Sequence, residues 1–255
     1  MNIKILVAAH KPYWMPEDKM YLPIHVGAAG SDKNLGYVRD DSGDNISDKN
    51  KHYCELTGMY WAWKNLDADY VGLAHYRRHF TVRKGSDKQQ LPITESELKP
   101  LLEKYDVILP RKRNYYIETT YNQYVHAHHK EDLDTTEAIL KEKYPEYLDA
   151  YKNVMNSTSG HRFNMFVMKR EIFDKYCSWL FDVLFELENR LDISEYSNYD
   201  ARVYGFVGER LLDVWMQTNK VNVKDIPYVF MEKQNWIKKG GNFIKRKIVG
   251  NTSHD

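Results

Sequence analysis

Short apolar runs alternate along the chain with amphipathic stretches of helical period. Residues 3–9, IKILVAA, form an apolar run broken only by Lys4 and ending in His10-Lys11-Pro12, the pattern of a strand buried on both faces of a parallel sheet. Residues 22–26 read as a second strand, followed by Gly27, Gly30 and a polar, Gly- and Asp-rich stretch to Asn45 that reads as a mobile loop. From 47 to 66, Tyr53, Leu56, Tyr60, Trp61 and Lys64 recur at helical spacing and predict one amphipathic helix. Residues 69–74 are the next strand. Thr94 and Glu97 have the spacing of a capping box for a helix ending near Lys104, and 106–109 is a strand stopped by Pro110.

The alternation continues with a helix over 135–144, broken by Pro145, and a polar stretch at 156–160 leading into a short strand, 164–168. In 171–191 the positions Phe173, Tyr176, Cys177, Leu180, Phe181, Leu184 and Leu187 keep a 3.6-residue stripe, which reads as core rather than cofactor site. Residues 207–218 are a further helix and 228–230 a late strand. No repeat or low-complexity tract interrupts the pattern. It predicts an α/β fold, one mostly parallel sheet with helices on both faces, with ligands bound beyond the carboxyl ends of the strands. The length suits one large domain over 1–232, with 233–255 as a separate tail.

A formal charge of +1 gives no global basic field, which disfavours nucleic acid as a partner. Cys54 and Cys177 sit in apolar helical patterns and read as reduced, buried thiols in a cytoplasmic protein. The first apolar run is too short to span a membrane and lacks a signal-peptide pattern.

The strand-end rule brings His10, Lys11, His75, Tyr76, Arg77 and Arg78 to one crevice, since each follows a buried strand. The arginines read either as ion-pair residues or, with Lys11, as holders of a nucleotide diphosphate; their place after a strand favours the second. Two Asp-x-Asp triplets resemble a divalent-metal site. Asp67-Ala68-Asp69 precedes its strand, however, and Asp132-Leu133-Asp134 precedes a helix, where acidic residues cap. No metal ligand is therefore assigned, and a Mn or Mg cofactor is disfavoured, with fixed cations in its place. His126, His128 and His129 match no usual zinc spacing. Their segment reads as an acceptor-facing loop, with His126, Tyr121 and Tyr124 beside Tyr115 and Tyr116 as sugar-contacting side chains. Glu209 and Asp200, near a Gly-containing turn, are the candidate bases for a sugar transfer; pairing of either with Arg210 or Arg202 is the equal alternative.

Several motifs belong together: His10-Lys11-Pro12; Asn50-Lys51-x-Tyr53-Cys54-Glu55-Leu56-Thr57 with Tyr60-Trp61-x-Trp63-Lys64-Asn65; Gly72-Leu73-x-His75-Tyr76-Arg77-Arg78; Asn164-Met165-Phe166; and Gly205-Phe206-x-x-Glu209-Arg210. With them the chain resembles, over nearly its whole length, the uncharacterised-domain family of capsular and exopolysaccharide biosynthesis glycosyltransferases. The resemblance implies a GT-A-like nucleotide-sugar transferase fold with a single Rossmann-like sheet. It implies transfer of a hexose, galactose in pyranose or furanose form, from a UDP-sugar to a lipid-linked oligosaccharide in capsule, exopolysaccharide or O-antigen synthesis, and it adds Asn164 to the donor side. The alternative is a non-catalytic carbohydrate-binding or scaffold protein of a polysaccharide assembly complex. Residues 233–247 carry six basic side chains and no acidic one, interleaved with Trp236, Ile237, Phe243 and Ile244. They read either as a solvated, disordered terminus or as a peripheral contact with the inner face of the plasma membrane.

Overall fold

A computed structural model describes residues 1–232. Its main sheet sets the strands of residues 223–226, 107–110, 166–169, 70–75, 3–9, 21–25 and 38–39 side by side in that order. In chain order the strands are β1 (Ile3–Ala9), β2 (Tyr21–His25), β3 (Val38–Arg39), β4 (Tyr70–His75), β5 (Arg78–Phe80) and β6 (Val107–Pro110). After them come β7 (Arg113–Asn114), β8 (Ser159–Gly160), β9 (Phe166–Lys169), β10 (Val223–Ile226) and β11 (Tyr228–Phe230). β1 lies parallel to β2 and β4, with Ile5 opposite both Tyr21 and Gly72. β9 runs antiparallel between β4 and β6, so the sheet is mixed with mostly parallel strands. β5 folds back from β4 and pairs with β11, while β7 and β8 form a separate ribbon.

Side-chain alternation along β1 sorts the core into two layers. Leu6 and Ala8 face a cluster with Val71 and Leu73, covered by α2 (Leu56–Asn65), α5 (Lys130–Lys143), α7 (Arg170–Arg190) and α8 (Val203–Thr218). Ile5, Val7 and Ala9 face the other cluster, with Phe80, Ile93 and the buried Leu98 and Leu102 of α3 (Glu95–Leu102). Burial of both faces explains why β1, apart from Lys4, and β4 up to His75 are apolar. At Gly72 a Cβ would stand 3.0 Å from Ile5 Cγ1, Phe166 O and Val167 Cγ2, so glycine lets β4 sit tightly between β1 and β9.

The Thr94–Glu97 capping box forms as expected. Three expectations change. The helix expected over 47–66 is divided into α1 (Asn50–Tyr53) and α2, because Cys54 between them takes φ 53° and ψ −130°. Asn50 Nδ2 holds this break by donating to Cys54 O at 2.7 Å and Thr57 Oγ1 at 3.0 Å. The stretch read as a mobile loop is pinned instead by Asp40, which is fully buried. Its carboxylate accepts from Gly27 N at 2.9 Å, Ala28 N at 3.0 Å, Ser47 Oγ at 2.5 Å and Thr57 Oγ1 at 2.6 Å. Finally, α5 starts five residues before the expected 135, putting Asp132 and Asp134 inside its first turns, and two short helices, α4 (Thr120–Val125) and α6 (Leu148–Asn156), fill segments with no expected element.

His161 ties β8 to α8 and β10, with Nδ1 2.5 Å from Asp213 Oδ1 and Nε2 3.0 Å from Asp225 Oδ1. Burial alone would lower its pKa, but hydrogen bonds to the two carboxylates raise it above the usual histidine value. No helix among the described residues is long and apolar enough to cross a membrane. The basic segment 233–247 lies outside the described residues.

Two stability predictions follow from these buried groups. Asp40→Ala removes the acceptor that four donors share, of which Thr57 Oγ1 retains Cys54 O at 3.1 Å, and should lower the unfolding free energy by about 3 kcal/mol in urea titration. His79 is packed edge-on against Trp14 and Tyr21, and burial lowers its pKa from 6.5 to about 4. The folded state then binds fewer protons than the unfolded chain between those values. This contribution is complete above pH 6.5 and is lost as pH falls towards 4, by about 2–3 kcal/mol at pH 4.5. Urea titrations at pH 7.5 and 4.5 should show that loss in the wild type relative to His79→Phe.

Candidate functional site

Beyond the carboxyl ends of β1, β2 and β4 the sheet opens into a cleft of about 610 Å³. His10, Val26 and His75 mark the three strand ends. Tyr76, Arg77 and Arg78 continue the rim, while Asn50, Lys51, Cys54 and Glu55 enter from α1 and the break that follows it. The facing wall is Asn198, Tyr199 and Arg202, then Gly205, Phe206 and Glu209 on α8. A Cβ at Gly205 would meet Cys54 Cβ and Sγ at 3.3 Å and Tyr53 O at 3.4 Å, so this glycine sets how closely α8 approaches the break.

Phe163 and Asn164 hold these parts together. Both take left-handed conformations, φ 77° and 51°, a strained state for side chains larger than glycine. Phe163 N donates to Glu209 Oε1 at 3.0 Å, and His75 Nε2 lies 2.5 Å from Phe163 O. Asn164 Nδ2 donates to Glu55 Oε1 at 2.7 Å and Gly205 O at 3.2 Å. The second Glu209 oxygen accepts from Arg210 Nη1 at 3.0 Å. Arg210 is buried and lies 4.9 Å over the Tyr124 ring. Glu209 therefore makes the arginine pairing left open by the sequence and also lines the cleft.

Cations outnumber carboxylates here: Lys51, Arg77, Arg78 and Arg202 against Glu55 and Glu209. Arg77 stands 3.7 Å from Glu232. Arg78 lies over the Phe163 and Phe230 rings at 4.2 and 5.0 Å, and burial followed by the neighbouring Arg77 lowers its pKa. Arg202 Nε donates to Cys54 Sγ at 3.1 Å, and its guanidinium lies 5.2 Å from the Phe206 ring. No carboxylate of the described residues is within ion-pair distance of Arg78 or Arg202. Burial, with Lys11, Arg77 and Arg202 nearby, depresses the His10 pKa. The cleft is thus a partly desolvated, positively charged recess, suited to an anion.

Of the donor-side residues expected from the sequence, His10, His75, Tyr76, Arg77 and Arg78 meet in this cleft, whereas Asn164 is outside its lining and bonds Glu55. Lys11 is outside the lining, with its ammonium 5.5 Å from the Tyr76 ring. Of the two candidate bases, Asp200 does not line the cleft; it bonds His128 Nδ1 at 3.0 Å and Ser197 Oγ at 2.6 Å. The acceptor-side expectation places poorly. Tyr124 is fully buried and donates to Asp132 at 2.7 Å, Tyr121 donates to Asp134 at 2.9 Å, and His126 faces Glu118 at 3.5 Å; none lines the cleft. Cys177 is buried, whereas Cys54 is at the cleft, with burial raising its thiol pKa to about 12. Glu55, Arg202 and Tyr199 were not singled out as site residues in the sequence. The signal for Glu55 was its place in the Asn50–Thr57 motif.

Neither Asp-x-Asp triplet fits a metal-bound diphosphate. Asp69 sits at the amino end of β4 and accepts from Asn2 N at 2.6 Å. Asp132 accepts from Tyr124 and from Tyr196, each at 2.7 Å. No metal-holding group of three His, Cys, Asp or Glu side chains occurs among the described residues. A second cavity of about 660 Å³ follows β10, but its His161, Asp213 and Asp225 are engaged with one another.

The family described as a domain of unknown function, DUF4422, matches residues 4–220. Among solved structures, the apo form of the WbbM bifunctional glycosyltransferase is similar, with a TM-score of 0.85 and 32% identity over 91% of this chain. That alignment covers 46% of the other protein, so the chain spans about half of its length. No curated protein matches the chain.

Replacing Asn164 by Asp keeps the shape of the side chain but turns the donor facing Glu55 and Gly205 O into an acceptor. Asn164→Asp should lose about 3 kcal/mol of stability at pH 8 and recover part of it at pH 4, where a carboxylate can take up a proton; urea titration at the two pH values measures this.

Proposed function

The chain belongs to the DUF4422 family, and from that premise we propose that it is a glycosyltransferase of bacterial surface-polysaccharide assembly. The reaction moves a hexose, with galactose favoured, from a UDP-sugar to a lipid-linked oligosaccharide. Such a reaction places the protein in the cytoplasm at the inner face of the plasma membrane, with residues 233–247 as the membrane contact. The observation that carries the reading is that Arg77, Arg78 and Arg202 line one cleft with Glu209, beyond the carboxyl ends of parallel strands. The similarity to a bifunctional glycosyltransferase supports it.

Arg78 and Arg202 offer planar forks of donors to the diphosphate oxygens, and Arg77 and Lys51 add positive charge at the rim. Glu209 accepts hydrogen bonds from Phe163 N and Arg210, which orient its carboxylate and leave lone pairs free towards the cleft. There it takes the proton of the acceptor hydroxyl as that oxygen bonds to the anomeric carbon. The bond from the anomeric carbon to the β-phosphate oxygen breaks, and UDP departs with the electron pair. The fixed guanidiniums stabilise the charge it gains.

UDP-sugars supplied singly in EDTA test the reading, with release of UDP as the signal. We expect turnover of at least one UDP-hexose and a fall in kcat of about a thousandfold in Glu209→Gln. Loss of turnover in Glu55→Gln with activity kept in Glu209→Gln would move the base to Glu55. Saccharide binding with no turnover, and no thermal stabilisation by any nucleotide at millimolar concentration, would contradict the transferase and favour the scaffold alternative.

A further inference from the structure

Tyr121, Tyr124 and His126 lie outside the cleft, so an acceptor sugar must meet other side chains. Tyr199 lines the cleft and remains 58% exposed. Its ring is nevertheless held in place. The Tyr199 and His128 rings are 5.5 Å apart and 23° from parallel, and His128 in turn stacks on Phe206 at 4.4 Å and 30°. The Tyr199 and Phe206 centroids are themselves 5.3 Å apart. Asp200 fixes the support: Oδ1 bonds His128 Nδ1 at 3.0 Å, Oδ2 accepts from Ser197 Oγ at 2.6 Å, and its N–H donates to that hydroxyl at 3.1 Å. The turn carrying Tyr199 is thus anchored on both sides of the aromatic ring. Burial lowers the His128 pKa despite this carboxylate, which favours a neutral aromatic layer.

We infer that Tyr199 and Phe206, backed by His128, form the platform on which the acceptor saccharide stacks. The assignment of that saccharide as acceptor rests on the transferase reading of the cleft. Aromatic rings offer an apolar face to the C–H face of a pyranose while leaving its hydroxyls free at the edge. Phe206 and Glu209 stand three residues apart on α8 and are neighbours on one helix face. A sugar on the platform therefore presents a hydroxyl towards the carboxylate. The Arg202 guanidinium lies over the same two rings, 5.8 Å from the Tyr199 centroid and 5.2 Å from that of Phe206, so the diphosphate it takes adjoins the sugar on the exposed part of Tyr199. Asp200 thereby gains a positioning role through His128 in place of proton transfer.

Two measurements with Tyr199→Ala and Tyr199→Phe test the platform. With UDP-galactose as donor and octyl hexosides as acceptors, Tyr199→Ala should raise the acceptor KM about tenfold, and Tyr199→Phe should restore it, since the ring carries the contact. Saturation-transfer NMR with methyl hexosides reads the platform without turnover. The wild type and Tyr199→Phe should transfer saturation to the sugar, and Tyr199→Ala should lose most of that signal. An unchanged acceptor KM or an unchanged NMR signal in Tyr199→Ala overturns the assignment. If the wild type turns over no UDP-sugar, the transferase reading falls and the NMR comparison still decides the saccharide platform.

Discussion

Phe163 donates its N–H to Glu209 and offers its carbonyl to His75, while the Asn164 amide reaches Glu55. These contacts join α8, the end of β4 and the break after α1, three parts of the cleft that are far apart in sequence. They require two successive residues in the left-handed region, at roughly 1–2 kcal/mol for Phe163 and less for Asn164, whose short amide side chain tolerates it. The conformation persists because its surroundings over-determine it. β9 follows at once, buried and hydrogen-bonded between β4 and β6, and cannot shift to relax the turn. Cys54, the third strained residue at the cleft, is fixed in the same way by the Asn50, Thr57 and Asp40 network.

The same arrangement governs the electrostatics. Its hydrogen bonds give both carboxylates of the cleft fixed partners, and Arg78 and Arg202 are left against aromatic rings and a thiol. Guanidiniums are weakly hydrated and tolerate such contacts, but a partly buried cluster of cations repels itself. On the proposed reading, an anion entering the cleft relieves that repulsion. The strand end carries His75-Tyr76-Arg77-Arg78 instead.

Much of the fold was legible where burial alone decides structure. The run Ile3–Ala9 is a strand with the expected bounds, and the stripe of α7 is core, because both patterns follow from which faces meet water. Direction is not written in hydrophobicity, so nothing in 164–168 distinguished antiparallel β9 from its parallel neighbours. The break at Cys54 was hidden for a different reason: Asp40, distant in sequence, contributes to it through Thr57. The rule that ligands lie beyond strand ends found the half of the cleft made by β1 and β4. Arg202 and Tyr199 belong to a wall placed by α8, whose approach depends on Gly205 meeting Cys54. Tyr124 shows the opposite failure, since a tyrosine in a polar segment reads as exposed until its hydroxyl is seen to satisfy buried Asp132.

On the proposed reading, guanidiniums drawn from two distant segments, Arg78 and Arg202, form one diphosphate site. Calorimetric titration of UDP in EDTA, with uridine as the control, tests it most directly in the wild type and an Arg78→Ala/Arg202→Ala double variant. The wild type should bind UDP well above uridine, more weakly as salt rises, and the double variant should lose this preference while keeping its fold. UDP binding of wild-type strength in the double variant, or equal affinity of the wild type for UDP and uridine, would contradict it.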